Sequence, residues 1–450
     1  MRKNLNKSIT RIKIQQASIE RKKRKRKKKI LSHKKNCDST KLWLTESYLT
    51  RFYTNLLYFL KKQKYICHKY KENTQHIKVP NIFSLKETTV ETLTFIKNIL
   101  STYFLSPRKI TYIDFSNCKK ICMSGFTLFD IIIKEIQETK DNFNKYSHKQ
   151  IRKQIAIIKS GRPEVDKYLL AFNYISELEN AKEGDEYLPL GLKSGSKKSS
   201  YRENIKAKTC SNIIEFVNET LRKYDTELNE TGKNSMDGMI SEILGNVEDH
   251  SIKKTWYVNG ISYKDIKDDI IELNLSILNF GISIYEGFEE NKELNIDTYS
   301  EMESLYHKHE RLFTKNNSFT KESLFTLYAL QEGISRLKYE RSSRGNGTMN
   351  FINAFIDLGE YGNKDPKFTP ELNIISGYTI LCCNNYYKPF PQDGLKILSL
   401  NQEKDLSLLP DKKNLYSSKE NFPGTFLDVK IYLDKTRLEE AIKNQQNGKN

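Results

Sequence analysis

Between Val79 and Leu178 the apolar pattern switches repeatedly from a period of two to the helical period, with short polar joints between segments. Val79-Pro-Asn-Ile-Phe-Ser-Leu85 predicts a strand and turn, and Val90 to Leu100 a helix. Lys109 to Ser116 predicts a strand ending in a polar turn, and Ser124 to Glu138 a helix with an apolar face. Gln154 to Lys159 predicts a short strand, Gly161-Arg-Pro163 a break, and Glu164 to Leu178 another helix. Strands separated by helices pair in parallel through helical crossovers, so this stretch predicts an α/β fold.

Charge divides the chain differently. Its 75 Lys and Arg against 56 Asp and Glu give a formal net charge of +19. Residues 1–35 alone hold 16 basic residues against the single acid Glu20, nine of them contiguous from Arg21 to Lys29. The body is therefore nearly neutral, which excludes a basic coat protein as a whole. The arm suits a polyanion, either nucleic acid or an acidic membrane surface, or serves as a solvated tail. The seven cysteines are odd in number and form no paired C-x-x-C knuckles, which argues against a disulfide framework or structural zinc. No apolar run reaches the ~20 residues of a membrane helix, and the basic N-terminus lacks the apolar core of a secretory signal. These readings predict a cytoplasmic protein without a membrane span.

The predicted organisation is a basic arm over 1–36, a helical segment over 37–78, an α/β domain over 79–182 and a linker over 183–205. A second domain follows over 206–433, then a polar tail over 434–450. In the second domain, Met236, Ile240, Ile243 and Val247 recur at helical spacing. Glu242, Asn246 and Asp249 fall within a sector of about 60° beside that stripe, so a carboxylate and an amide sit at the margin of a core. Ile271, Leu273, Leu275 and Ile277 then alternate with Glu272, Asn274 and Ser276, as in a strand with one buried face. That strand ends in Asn279-Phe280-Gly281. Further on, Arg341-Ser-Ser-Arg344-Gly345-Asn-Gly347 leads into the apolar helical run Met349 to Ile356. Glycines before a helix N-terminus expose N–H groups that can hold phosphate, and Arg341 and Arg344 add countercharge.

In order, these three segments resemble the N, G1 and G2 boxes of the GHKL ATPase superfamily, which includes DNA gyrase B subunits, MutL-type repair proteins, sensor histidine kinases and anti-sigma-factor serine kinases. Phe422-Pro-Gly-Thr425-Phe-Leu-Asp-Val resembles the Gly-Thr strand that ends many such domains. The resemblance implies a two-layer α/β sandwich, a mixed sheet under helices, binding ATP with Mg²⁺. It implies that Asn246 coordinates the metal and that Glu242 activates water or an acceptor hydroxyl. Asp249 would be a polar pocket residue, Gly281 would allow close approach of the ligand, Gly345 and Gly347 would face the phosphates, and Thr425 would lie near the base. The family pattern Asp-x-Gly-x-Gly reads Asn279-Phe-Gly281-Ile-Ser283 here. The Asn279 amide oxygen can accept the adenine hydrogen bond, or its NH₂ can face a carbonyl instead. Ser283 in place of the second glycine narrows the expected pocket.

Ile110 to Phe129 resembles the central strand, turn and helix of STAS-type domains, known from anti-sigma-factor antagonists. Ser124-Gly125 occupies the place of that family's phosphorylated serine; otherwise Ser124 is the helix N-cap. Together the resemblances imply a nucleotide-controlled switch with a protein partner, and nucleic acid as a further partner through residues 1–35. The alternatives are an anti-sigma-type serine kinase, or a non-enzymatic nucleic-acid-associated adaptor with a degenerate nucleotide site.

Overall fold

A computed structural model describes residues 76–105, 110–146, 154–176, 186–196, 201–251, 254–265, 269–294, 296–310, 319–332, 334, 347–360 and 368–440. The basic arm, nearly all of the expected 37–78 helical segment, the glycine loop with Arg344 and Gly345, and the last ten residues of the tail lie outside them.

The N-terminal unit is α/β, as the switching periods predict. Strands β1 (His76–Lys78), β3 (Ile110–Asp114) and β5 (Gln154–Ile158) form a parallel sheet in the order β1-β3-β5. A parallel ribbon pairs β2 (Ile82–Phe83) with β4 (Lys120–Ile121). Helices α1 (Thr89–Leu105) and α2 (Met123–Tyr146) make the crossovers, and α3 (Pro163–Ala171) follows β5. At the start of α3, Pro163 occupies the first turn, and Asp166 accepts the N–H groups of Ser160 and Gly161, both at 2.8 Å. Ser124 is not the N-cap. It lies inside the first turn of α2, fully buried, and its hydroxyl accepts the Leu85 N–H at 3.4 Å. Gly125 beside it lets α2 close on β2, because a Cβ there would stand 2.6 Å from the Phe83 carbonyl oxygen.

The second unit is built on a six-stranded sheet. Its strands are β6 (Glu186–Pro189), β7 (Lys193–Ser196), β8 (Thr255–Asp265), β9 (Ile270–Phe280), β10 (Glu371–Asn384) and β13 (Leu415–Asp434), with β11 (Phe390–Gln392) and β12 (Leu395–Ile397) pairing separately with each other. The order is β10-β13-β9-β8-β6, with β7 also on β8. Every pairing in this sheet is antiparallel, which corrects the expected mixed sheet. The cause is the position of β13: β9 and β10 run the same way, but β13 lies between them and opposes both. The expected linker over 183–205 is also corrected, because β6 and β7 are strands within it. Their apolar pattern is faint because β7 is Lys-Ser-Gly-Ser, and its Gly195 receives the Trp256 ring, which a Cβ would meet at 2.1 Å.

Helices α4 (Arg202–Arg222) and α5 (Glu230–His250) cover one face of this sheet together with α9 (Gly347–Glu360). Alternation along β9 sends Ile271, Leu273, Leu275 and Ile277 into their shared core. The opposite face is not open to solvent, as a two-layer sandwich would leave it. Tyr257, Leu278, Phe280, Phe422 and Phe426 point there and join one core with Phe83, Phe126 and Phe129 of the N-terminal unit. The apolar residues on that second face require a cover, and helices α1 and α2 supply it. The molecule is therefore three-layered around the six-stranded sheet.

Polar groups lock this contact. Asp130 on α2 is buried and accepts the Tyr174 hydroxyl at 2.7 Å and the Asn259 amide at 2.9 Å. Tyr257 donates its hydroxyl to Glu135. Burial opposes ionisation of Glu272, but Lys430 at 3.3 Å and nearby Lys167 on α3 hold its carboxyl below the usual range. Asp428 faces the same contact and takes a 2.8 Å bond from the Ser276 hydroxyl; burial outweighs that bond and pushes its carboxyl up to about 6.

Two outcomes follow for stability. Asp130→Ala leaves a tyrosine hydroxyl and an asparagine amide without their acceptor in the interior, and should cost roughly 3 kcal/mol in urea denaturation. Native Asp428 keeps its proton to about pH 6, while the unfolded chain releases it near the ordinary value of 3.8. Its contribution to stability therefore falls as pH rises through that window and is flat above it. Asp428→Asn should flatten that slope in a pH series of melts, and should melt higher than the parent above about pH 7.

Candidate functional site

Helix α5 begins where Asn229, in extended conformation, accepts the Gly232 N–H with its side chain at 2.8 Å. Met236, Ile240, Ile243, Leu244 and Val247 anchor it on the sheet. Along the flank of that apolar face, Glu242 and Asp249 are half-buried and Asn246 is exposed. The three therefore lie on one side of a helix fixed by its core face, as their spacing predicts.

The end of α5 is bonded to the end of β9. Ser251, which caps the helix, forms an antiparallel bridge with Gly281, and the Ile282 N–H reaches the His250 carbonyl at 3.3 Å. Gly281 is required by this contact: a Cβ would lie 2.1 Å from the His250 carbonyl oxygen. The glycine expected to admit a ligand thus admits the end of the helix. From the other side, the Gly281 N–H donates to the Pro423 carbonyl at 3.0 Å, which brings in the Gly-Thr segment of β13.

Asn279 ties all three elements together. It is fully buried, its NH₂ donates to the Val247 carbonyl of α5, and its side-chain oxygen accepts the Thr425 N–H at 2.9 Å. Of the two orientations left open by the sequence, the structure holds the one with the amide facing a carbonyl. Gly424, at φ +149°, allows this approach, since a Cβ there would meet the Asn279 carbonyl oxygen at 2.1 Å. Thr425 is likewise buried, and its hydroxyl lies 2.9 Å from that of Ser376 on β10. Ser376 also accepts the Ile284 N–H at 2.9 Å. The groups expected to meet a base are thus bonded to one another.

After Gly281 the chain builds helices α6 (Ile284–Glu290), α7 (Ile296–Glu310) and α8 (Lys321–Ala329). Ser283 is the N-cap of α6, in a reciprocal capping box with Glu286. That role accounts for the serine at this position. His309, near the end of α7, is buried and bonded to the Tyr328 hydroxyl and, at 2.9 Å, to the Ser407 carbonyl. Gly347 opens α9, which packs along α5 and shares its core through Met349, Ile352 and Ile356. Arg344 and Gly345 lie outside the described residues, immediately ahead of this helix.

The sequence reading missed Ser376 and Glu322. Glu322 accepts the Tyr378 N–H at 2.7 Å where β10 passes through a bulge at Gly377, φ +60°. The available signal was Ser376-Gly377 interrupting an otherwise apolar strand.

Comparison with protein-family models, with curated proteins and with solved structures finds no match for this chain.

A single substitution tests the role of Asn279. Asn279→Asp places a carboxylate against the Val247 carbonyl and removes the donor, so it should destabilise the protein by roughly 2–4 kcal/mol in urea denaturation.

Proposed function

We propose that this protein is a GHKL-type switch that binds ATP with Mg²⁺ and uses nucleotide state to control a protein contact. The observation that carries the reading is the convergence of the N-box helix, the end of the G1 strand and the Gly-Thr strand, with the helix opened by Gly347 alongside. These segments are far apart in sequence and follow the order of the family's boxes.

The phosphate end fits the side chains present. Asn246 offers an exposed amide oxygen, a hard ligand suited to a Mg²⁺ that keeps several waters. A metal held there would supply positive charge to the phosphates. Glu242, half-buried one turn away, is placed to take a proton from an attacking water or acceptor hydroxyl. Arg344 and Gly345 precede α9 in the sequence and suit phosphate by residue type, and Gly347 opens the helix, whose N-terminal N–H groups favour an anion. The base end differs from the family: the Asn279 amide is engaged by Val247 and Thr425, so adenine recognition through it is not part of the proposal.

Hydrolysis or transfer to a separate partner is favoured over transfer to Ser124. That hydroxyl is fully buried in the N-terminal unit and accepts a backbone N–H. The N-terminal unit covers the sheet face opposite α5, so a change in the helical layer can reach it through the sheet.

Binding of labelled ATP with Mg²⁺ should weaken at least tenfold in Asn246→Ala. Glu242→Ala should still bind and should lose turnover at least a hundredfold. No binding by the parent chain, or equal binding by parent and Asn246→Ala, overturns the reading. Normal phosphate release by Glu242→Ala overturns the catalytic role and favours the adaptor.

A further inference from the structure

A pocket of 580 Å³ lies away from α5, where Lys86 of the N-terminal unit meets both ends of β10 and the loop before β13. That volume is within the range of small-molecule sites. Its polar groups are unevenly satisfied. Glu371 is paired with Lys86 at 2.7 Å, and Asp411 accepts the Tyr387 hydroxyl. The Asn384 side-chain oxygen accepts the N–H groups of Tyr386 and Tyr387, at 3.0 and 3.1 Å. Asn414 is bonded to the backbone of Cys382 on both sides, at 2.7 and 2.9 Å. Burial pushes the Cys382 thiol up to about 11, so it lines the wall as a neutral group.

The donors are in surplus. Lys412 and Lys413 line the pocket, are exposed, and make no ion pair or hydrogen bond with the described residues. The Asn384 NH₂ is likewise without an acceptor among them. A concave site whose two carboxylates each have a donor beside them, and whose Lys412, Lys413 and Asn384 NH₂ are free among the described residues, favours a ligand rich in acceptors and in negative charge.

We propose that this pocket is a second ligand site, for a compact polyanion such as a phosphorylated or polycarboxylate small molecule held by Lys412, Lys413 and Asn384. Because Lys86 and β10 belong to different units, an occupant touches both sides of their contact. The site is independent of the nucleotide reading and needs no metal.

The test is calorimetric titration of the full chain with inorganic pyrophosphate and with citrate, in EDTA and at fixed ionic strength. The two probes distinguish phosphate from carboxylate chemistry. Three further chains are compared: Lys412→Gln/Lys413→Gln, the charge-matched control Lys208→Gln/Lys419→Gln, and Asn246→Ala. Saturable one-site binding of at least one probe is expected in the parent, in the control and in Asn246→Ala. The Lys412/Lys413 variant should bind at least tenfold more weakly. Absence of saturable binding to either probe, equal affinity in the Lys412/Lys413 variant, or an equal loss in the control overturns the proposal. Loss in Asn246→Ala overturns it too, by assigning the anion to the α5 site.

Discussion

The structure depends on a single sheet being buried on both faces by different parts of the chain. Strand β13 runs through its middle, opposed to β9 on one side and to β10 on the other. Its alternating residues serve two cores: Leu427, Val429, Ile431 and Leu433 under the helices, Phe426 under the N-terminal unit. An exposed aromatic face of this extent would drive association, so the N-terminal unit is part of the fold and not an appended module. The same constraint brings buried charge with it. Asp130, Glu135, Glu272 and Asp428 all lie at the covered face, each with a named partner. Removing one partner is more damaging than the small net value of each bond suggests.

The candidate site grows from the rim of this arrangement. Helix α5 is held by its apolar face, and the end it presents to β9 is fastened by Gly281, Asn279 and the Gly-Thr segment of β13. Those residues act as a clasp between three elements, while Glu242 and Asn246 stay on the accessible flank. Positioning and chemistry are thereby separated: the buried polar groups set where the helix lies, and the outer ones are available to a ligand. Helices α6 to α8 pack on the same core through residues such as Phe288, Met302, Leu324 and Phe325.

Much of this was legible from local pattern. The helical stripe of Met236, Ile240, Ile243 and Val247 and the alternation of Ile271 to Ile277 both read correctly, because each period reflects burial of one face. Strands β6 and β7 were not legible, since Lys-Ser-Gly-Ser gains its place from Trp256, which is remote in sequence. Ser283 was misread for a different reason. Its Ser-x-x-Glu signature is a capping box, but alignment with a glycine motif directed attention to the pocket instead of the helix start. Ser124 was assigned to a helix boundary one residue beyond the observed start, where contact with Leu85 decides its role.

By itself the sequence determined the strands and helices whose apolar period is strong, such as α5 and β9, the apolar faces of these, and the order of the acid, amide and glycine segments. These are properties of neighbouring residues, set by side-chain spacing along a single element. Only the tertiary structure decided that the sheet is antiparallel, that its second face is covered by the N-terminal unit, and that Asn279 turns its NH₂ toward Val247. Each of these depends on which distant backbone fills the space beside a strand, and local periodicity carries no information about that neighbour.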